Sequence, residues 1–273
     1  MITASLIGAQ SPPLLQIIVS ATPAGVAWTL VGAADDGFTW TVPGGQGVGD
    51  GQQLTMVDNR APLNRPVWYT LRTDTSEETS NEIIATFDAP PILVPPGGGA
   101  MVLQSLDGQK SVVAGVLAGS LDVQMPVARA RYAIPGSRRP VVRYAPTGDR
   151  EGSLRLLVLA DAMAAFEELF ESGEPLLWRC TGPVFDLPAV AVVDYGTPSA
   201  SALTRRHARL WELPYTLIDD PFMDQRLGAF TWSYIDALQV DGSTVIRDGD
   251  AMETLLAGLT WDRIDALDWS VYA

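Results

Sequence analysis

Short apolar runs alternate with turn sequences along the first 90 residues of the chain. Around Trp28 and Trp40, apolar and polar positions alternate, as expected of strands that bury one face. Turn sequences such as Asp35-Asp36-Gly37 and Gly44-Gly45 separate these runs. The pattern predicts a β-sandwich domain over residues 1–89, because many short strands with regular turns are typical of that architecture. Its predicted strands cover residues 14–19, 26–31, 38–42, 54–57, 67–72 and 82–87.

The end of this domain has an aromatic-rich run at residues 65–71, then a polar hairpin, then Asn81-Glu82-Ile83-Ile84. In order and spacing it resembles the last two strands of a fibronectin type III-like module. Residues 90–99 are rich in proline and glycine and predict a linker. A long loop inside a single domain is the alternative reading of this segment.

Residues 100–221 predict a second β-rich domain with one helix. Met163, Phe166, Leu169 and Phe170 recur at helical spacing within a predicted helix at residues 161–172. We expect the Asp161 side chain to cap its first turn and a left-handed glycine at 173 to end it. The polar segment 199–209 predicts a mobile or partner-contacting loop. Predicted strands cover residues 100–105, 111–117, 121–127, 141–144, 154–159, 176–180, 188–193 and 210–213.

The last segment, residues 222–273, predicts a short helical tail that carries a repeat. The sequence Thr-Trp-Ser-Tyr-Ile-Asp-Ala-Leu at residues 231–238 recurs as Thr-Trp-Asp-Arg-Ile-Asp-Ala-Leu at residues 260–267. Each copy places Trp, Ile and Leu at positions i, i+3 and i+6, which gives a short helix one apolar face. Two copies are too few for a solenoid, so we interpret them as docking segments.

Composition excludes several classes of function. The net charge is −14, whereas a nucleic-acid-binding protein needs a basic surface for phosphate. Residues 1–100, 101–211 and 212–273 carry net charges of −6, +1 and −9. We therefore expect the arginine-rich stretch of the middle region to contact the acidic tail, within one chain or between chains. Simple solvation of both segments is the alternative. No apolar run reaches the roughly 20 residues that a membrane span needs, and we expect a soluble protein.

The sequence predicts no catalytic residue, cofactor site or metal site, so we expect no enzymatic activity. Cys180, the single cysteine, lies in an apolar run and is expected to be buried and inert. His207, the single histidine, stands among arginines rather than beside a nucleophile. Paired acids, either Asp219 with Asp220 or Asp248 with Asp250, allow a hydrolase as an alternative, although adjacent acids are typical of turns.

A family resemblance covers residues 138–273. The order is Arg-Arg-Pro-Val-Val-Arg at 138–143, Gly-Ser-Leu-Arg-Leu-Leu-Val at 152–158, a helix, Ser-Gly-Glu-Pro-Leu-Leu-Trp-Arg at 172–179, Arg-Leu-Trp-Glu-Leu at 209–213 and the Trp repeats. It resembles minor tail proteins of long-tailed actinobacteriophages, and its layout is similar to the split β-barrel with an inserted helix of distal tail proteins. The sandwich in front of the barrel departs from the best-known layout of that family.

The resemblance implies a structural virion protein in the phage tail tip, made in the host cytoplasm. It would form a closed ring, most often a hexamer, and join the tail tube to other tail proteins. The candidate subunit-interface residues are three arginines that would meet an acidic neighbour and two aromatic anchors, namely Arg138, Arg139, Arg143, Trp232 and Trp261. The alternative is a module that binds carbohydrate or the host surface through sandwich aromatics, namely Trp28, Trp40, Trp68 and Tyr69.

Overall fold

The computed structural model divides the chain into two compact units, Met1–Phe87 together with Pro221–Ala273, and Asp88–Asp220. It describes residues 1–7, 12–94, 99–117, 122–125, 129–132, 141–144, 150–184, 187–204, 208–223, 239–240 and 244–245. Strands dominate both units, which confirms the prediction of a mainly β protein. Most of the predicted helical tail lies outside the described residues. Its described part includes a small hairpin of Gln239–Val240 and Thr244–Val245.

The first unit is an antiparallel sandwich of two sheets. Its strands are β1 Ile2–Leu6, β2 Leu15–Val19, β3 Ala27–Ala34, β4 Thr39–Val48, β5 Leu54–Asp58, β6 Pro66–Thr73, β7 Glu77–Thr79 and β8 Ile83–Ile84. One sheet has the order β1-β2-β5, and the other has the order β4-β3-β6-β7 with β8 paired to β6. Strands β1–β8 thus divide into sheets of three and five.

The sandwich core follows from strict alternation on β3 and β6. Trp28 and Leu30 of β3 are buried, as are Tyr69 and Leu71 of β6, and the residues between them are more exposed. They belong to the inner face of their sheet, since successive strand residues point to opposite sides. Ile17 of the other sheet is fully buried as well. Each sheet thus supplies one apolar face to a shared core.

Three features of the sandwich differ from the predictions. Gly44-Gly45 is not a turn but part of β4. The register between β3 and β4 shifts between Thr29 and Val31 of β3, and this shift forms a bulge in β4. The predicted strand 82–87 is reduced to the two residues of β8. Strands β1 and β7 were not predicted. β7 is short, polar and wholly exposed, and it owes its conformation to pairing with β6.

The second unit is built on a closed antiparallel barrel of six strands. They are β9 Gly99–Ser105, β10 Ser111–Val116, β14 Glu151–Leu159, β15 Leu176–Cys180, β16 Val190–Tyr195 and β18 Ala208–Ile218. Pairing runs β9-β10-β14-β18-β16-β15 and returns from β15 to β9. The remaining strands are β11 Asp122–Gln124, β12 Arg129–Tyr132, β13 Val141–Tyr144 and β17 Ser199–Thr204.

Two of these additional strands extend the barrel sheet. β11 pairs with the start of β14, and β17 pairs with the first part of β18. The predicted loop at residues 199–209 is therefore largely a strand, because its small Ser and Ala residues pair with β18 instead of remaining free. β12 and β13 form a separate two-stranded sheet.

The helix α1, Met163–Leu169, connects β14 to β15 and packs into the barrel core. Phe166 and Leu169 are buried in the same cluster as Trp178 of β15. This placement confirms the predicted barrel with an inserted helix. Gly173 follows with φ +68°, as expected of a residue that ends a helix. The predicted cap at Asp161 is wrong, because Ala162 is the N-cap and no side chain caps the helix.

Residues 88–94 pack against the outside of the barrel. Leu93, in a short 3-10 turn Pro91–Leu93, forms a buried cluster with Ala100 and Leu157. Gly115 of β10 permits this approach, since a Cβ there would lie 2.6 Å from the carbonyl oxygen of Leu93. The described part of the predicted linker is thus a packed element of the second unit.

Candidate functional site

A groove of about 490 Å³ opens on the barrel where β11, β14, β16 and β18 come together. It is lined by Gln124, Glu151, Gly152, Ser153, Asp194, Tyr195, Gly196, Pro214, Tyr215 and Thr216. Because β14 pairs with β11 on one side and β18 on the other, closure of the barrel brings together segments far apart in the sequence.

A row of four polar residues crosses these strands. Gln124 lies opposite Glu151, Glu151 lies opposite Thr216, and Thr216 lies opposite Asp194. Residues directly opposite one another in an antiparallel pair share a face of the sheet, with Cβ atoms about 5 Å apart. They alternate with Tyr215, which is buried in the core, so they lie on the outward face of the barrel. The row therefore presents two carboxylates, a hydroxyl and an amide on one surface.

Two tyrosines stand one position away from this row, on the inner face. Tyr215 is 3% exposed, and its ring packs edge-on against Trp178 with centroids 5.1 Å apart. Its hydroxyl has no hydrogen-bond partner among the described residues. Burial raises the pKa of the Tyr215 phenol, and the charge of Arg150 opposes that shift.

Tyr195 has a different environment. Its ring packs edge-on against Phe170, which directly follows α1, and its hydroxyl donates to the Phe170 carbonyl oxygen at 3.5 Å. Burial raises the pKa of the Tyr195 phenol, and the nearby carboxylates of Asp194 and Glu174 raise it further. Both phenols therefore remain neutral at pH 7.

The side chains of the groove favour the binding of a ligand through hydrogen bonds. Ionised carboxylates accept hydrogen bonds, the Gln124 amide both donates and accepts, and Thr216 offers a hydroxyl. Ser153 Oγ already donates to Glu212 Oε1 at 3.2 Å, which adds a third acid beside the groove. The surface suits a ligand with hydroxyl or basic groups. Sequence reasoning missed it because its strands meet only when the barrel closes.

The predicted interface residues fall largely outside the described part of the chain. Arg143 lies in β13, where its backbone pairs with Ala130. Arg138, Arg139, Trp232 and Trp261 lie outside the described residues, so the predicted interface stays a prediction.

The four sandwich aromatics do not form one stacking surface. Trp28 is 3% exposed and Tyr69 is fully buried, and both belong to the core. Trp40 lies on the same inner face and is half-buried. Trp68, also half-buried, alternates with Tyr69 and lies on the opposite face of the sheet. A carbohydrate site built from all four is therefore excluded by their positions.

Cys180 is buried in the barrel core, as predicted, and its Sγ lies 3.6 Å from the Pro188 carbonyl oxygen. Asp219 and Asp220 directly follow β18, whereas Asp248, Asp250 and His207 lie outside the described residues. Within the described ranges, no three potential metal ligands come together. Over the same part of the chain, no helix is long and apolar enough to cross a membrane.

The fold defines a mainly β protein that joins a two-sheet sandwich to a closed six-stranded barrel containing a helix. Comparison with known protein families and with curated proteins gives no match for this chain.

Proposed function

We propose that this protein is a structural subunit of the tail tip of a long-tailed phage, either in the distal tail ring or in an adjacent minor tail position. The observation that carries the proposal is the insertion of α1 between β14 and β15, with Phe166 buried in the core of a closed barrel. That architecture is what the family resemblance of residues 138–273 implies.

The proposed partners are further copies of the chain, most often six in a ring, and the neighbouring tail proteins. The barrel supports this role because a closed sheet offers a rigid body with few free edges. Heterologous contacts between a basic surface and an acidic one close a ring. Arg138, Arg139 and Arg143 supply the basic surface in this proposal. The protein acts without a catalytic residue or a cofactor, and it resides in the virion after synthesis in the host cytoplasm.

The mass of the full chain in solution, followed by negative-stain imaging, tests this proposal. We expect a ring whose mass is a small multiple of 29.3 kDa. Reversal of all three arginines to glutamate should leave a folded monomer, with an unchanged circular dichroism spectrum. The matched control reverses three exposed arginines elsewhere, Arg72, Arg155 and Arg209, and should still form rings. A monomeric wild-type chain at high concentration, without rings in the images, would contradict the proposal.

A second candidate function is recognition of a host-surface carbohydrate, and the groove on the barrel is the observation that favours it. Acidic and amide side chains on one surface suit the many hydroxyl groups of a sugar. A glycan array probed with the full chain tests it. Replacement of Glu151 and Asp194 by Gln and Asn should abolish any signal, whereas the exposed control Glu171→Gln should retain it. A blank array for the wild-type chain would remove this candidate.

A further inference from the structure

The face of the sheet β1-β2-β5 that points away from the sandwich core is closed to solvent along β5 and the adjoining part of β2. Residues on its inner face include Ile17 and Met56, which lie opposite each other. The neighbouring positions point outward, yet Gln16 is 5%, Thr55 7% and Val57 2% exposed. In a two-layer sandwich that face normally meets water and is polar. Here β5 is buried along its whole length, which requires a cover.

The cover extends beyond the strands. Ile7 and Leu14, which flank the β1–β2 connection, form a buried apolar cluster with Val57 on this outward face. The connection that follows β5 is buried as well, including Asn59 at 0% and Arg60 at 5% exposed. Connections normally run over the surface, and arginine is rarely so deeply buried. The buried face and the buried connection therefore require covering residues on the side of β5.

The position at which the chain returns to the sandwich favours one covering segment. The backbone N–H of Gly44 in β4 donates to the Met223 carbonyl oxygen at 2.7 Å. Residues Pro221–Ala273 also belong to the same compact unit as Met1–Phe87. β4 and β5 are neighbours across the sandwich, since Trp40 of β4 reaches Asp58 of β5. The chain thus arrives beside the covered face with 50 residues still to follow.

The composition of those residues suits the face. The two repeats supply Trp232 and Trp261 with an Ile and a Leu at helical spacing, and the outward face offers Ile7, Leu14 and Val57. We propose that residues 224–273 dock on the outward face of the sheet β1-β2-β5 of their own chain, with the apolar side of the Trp repeats against it. The segment shields β5, which is an edge strand of its sheet among the described residues and could otherwise pair with another chain.

Thiol reactivity in the full chain tests this inference independently of any role in a virion. Three single substitutions report on one sheet: Thr55→Cys on the covered outward face, Thr3→Cys on the exposed part of that face, and Ala4→Cys on the inner face. Thr55→Cys and Ala4→Cys should react slowly with a small maleimide, and Thr3→Cys should react fast. The native Cys180 is buried and contributes little.

Two changes should then release the covering segment. One is the double substitution Trp232→Ala and Trp261→Ala in the full chain, and the other is removal of residues 224–273. In each, Thr55→Cys should react at least about tenfold faster, because labelling of a covered residue requires local opening. Ala4→Cys must remain slow, since a fast reaction there would show that the sandwich itself had unfolded. If removal of the segment unfolds the sandwich, the double Trp variant decides alone. The inference is overturned if Thr55→Cys stays slow in a sandwich that remains folded, or if it already reacts as fast as Thr3→Cys in the full chain.

Discussion

The indole Nε1 of Trp40 donates to Oδ2 of Asp58 at 2.8 Å, and this bond joins the two sheets of the sandwich. The Tyr69 hydroxyl donates to the same oxygen at 2.7 Å, and the backbone N–H of Arg60 donates to the other carboxylate oxygen at 2.7 Å. Asp58 is fully buried. A buried carboxylate is stable only when donors surround it, so Asp58 fixes how the edges of the two layers meet.

Replacement of Asp58 by Ala should destabilise the sandwich by about 3–5 kcal/mol, because it removes a buried acceptor that three donors share. Asp58→Asn should cost less, since one carbonyl oxygen remains. Urea unfolding of the full chain, followed by tryptophan fluorescence, measures the difference. The exposed control Asp74→Ala should stay within about 0.5 kcal/mol of wild type. A loss equally small for Asp58→Ala would refute a role for the carboxylate in joining the sheets.

Gly32 makes the Trp40–Asp58 contact possible. It pairs with Trp40 on one side and Tyr69 on the other, and a Cβ at this position would lie 2.3 Å from the Trp40 ring. Gly32→Ala should therefore displace the indole, lower stability by about 2 kcal/mol and shift the tryptophan emission. Gly182→Ala is the control, because a Cβ there meets nothing within 4 Å. An unshifted emission spectrum for Gly32→Ala would show that the indole does not need this space.

The predictable part of this fold rests on periodicity. Alternation around Trp28 predicts β3, apolar spacing at Phe166 and Leu169 predicts α1, and both elements are present. These signals are local and arise because each element buries one face. The positions of the turn at Gly108 and the end of α1 at Gly173 follow from the left-handed conformation that glycine adopts, at φ +79° and +68°.

The remaining features depend on contacts distant in sequence. Asp58, followed by Asn59, has the composition of a turn, and only the approach of Trp40 and Tyr69 makes it a buried acceptor. In the groove, Glu151 and Asp194 share a surface because both strands pair with β18. Strand β17 is a strand only through its pairing with β18. Neither composition nor periodicity carries this information.

The anchoring of α1 in the barrel gives a third prediction. Phe166 is fully buried and packs against Phe170 and Trp211, with ring centroids 4.9 and 5.0 Å away. Phe166→Ala should cost about 3–5 kcal/mol, through lost burial and the cavity left behind. The control is Glu167→Ala on the exposed side of the helix. Its ion pair with Arg209, at 3.8 Å and half-exposed, should contribute less than about 1 kcal/mol. Equal losses for the two variants would contradict the packing of the helix face.

The buried Tyr215 hydroxyl gives a prediction in two pH ranges. At pH 7, Tyr215→Phe removes a hydroxyl that has no hydrogen-bond partner among the described residues, and it should stabilise the barrel by about 1 kcal/mol. At alkaline pH, the raised pKa of Tyr215 means that the unfolded state loses its proton first, from about pH 10. The unfolded state then binds fewer protons, so stability falls as pH rises above that value.

Tyr215→Phe should remove this phenol's share of the alkaline loss, so its advantage over wild type should grow between pH 9 and about pH 11. Urea midpoints at pH 7, 9 and 11 measure both effects. Thr216→Val, the neighbouring position on the outward face, controls for loss of a hydroxyl at the groove and should show no such growth. An advantage of Tyr215→Phe that stays constant across the three pH values would mean that the phenol ionises as easily in the folded barrel as in the unfolded chain. A destabilised variant at pH 7 would mean that the hydroxyl is hydrogen-bonded after all.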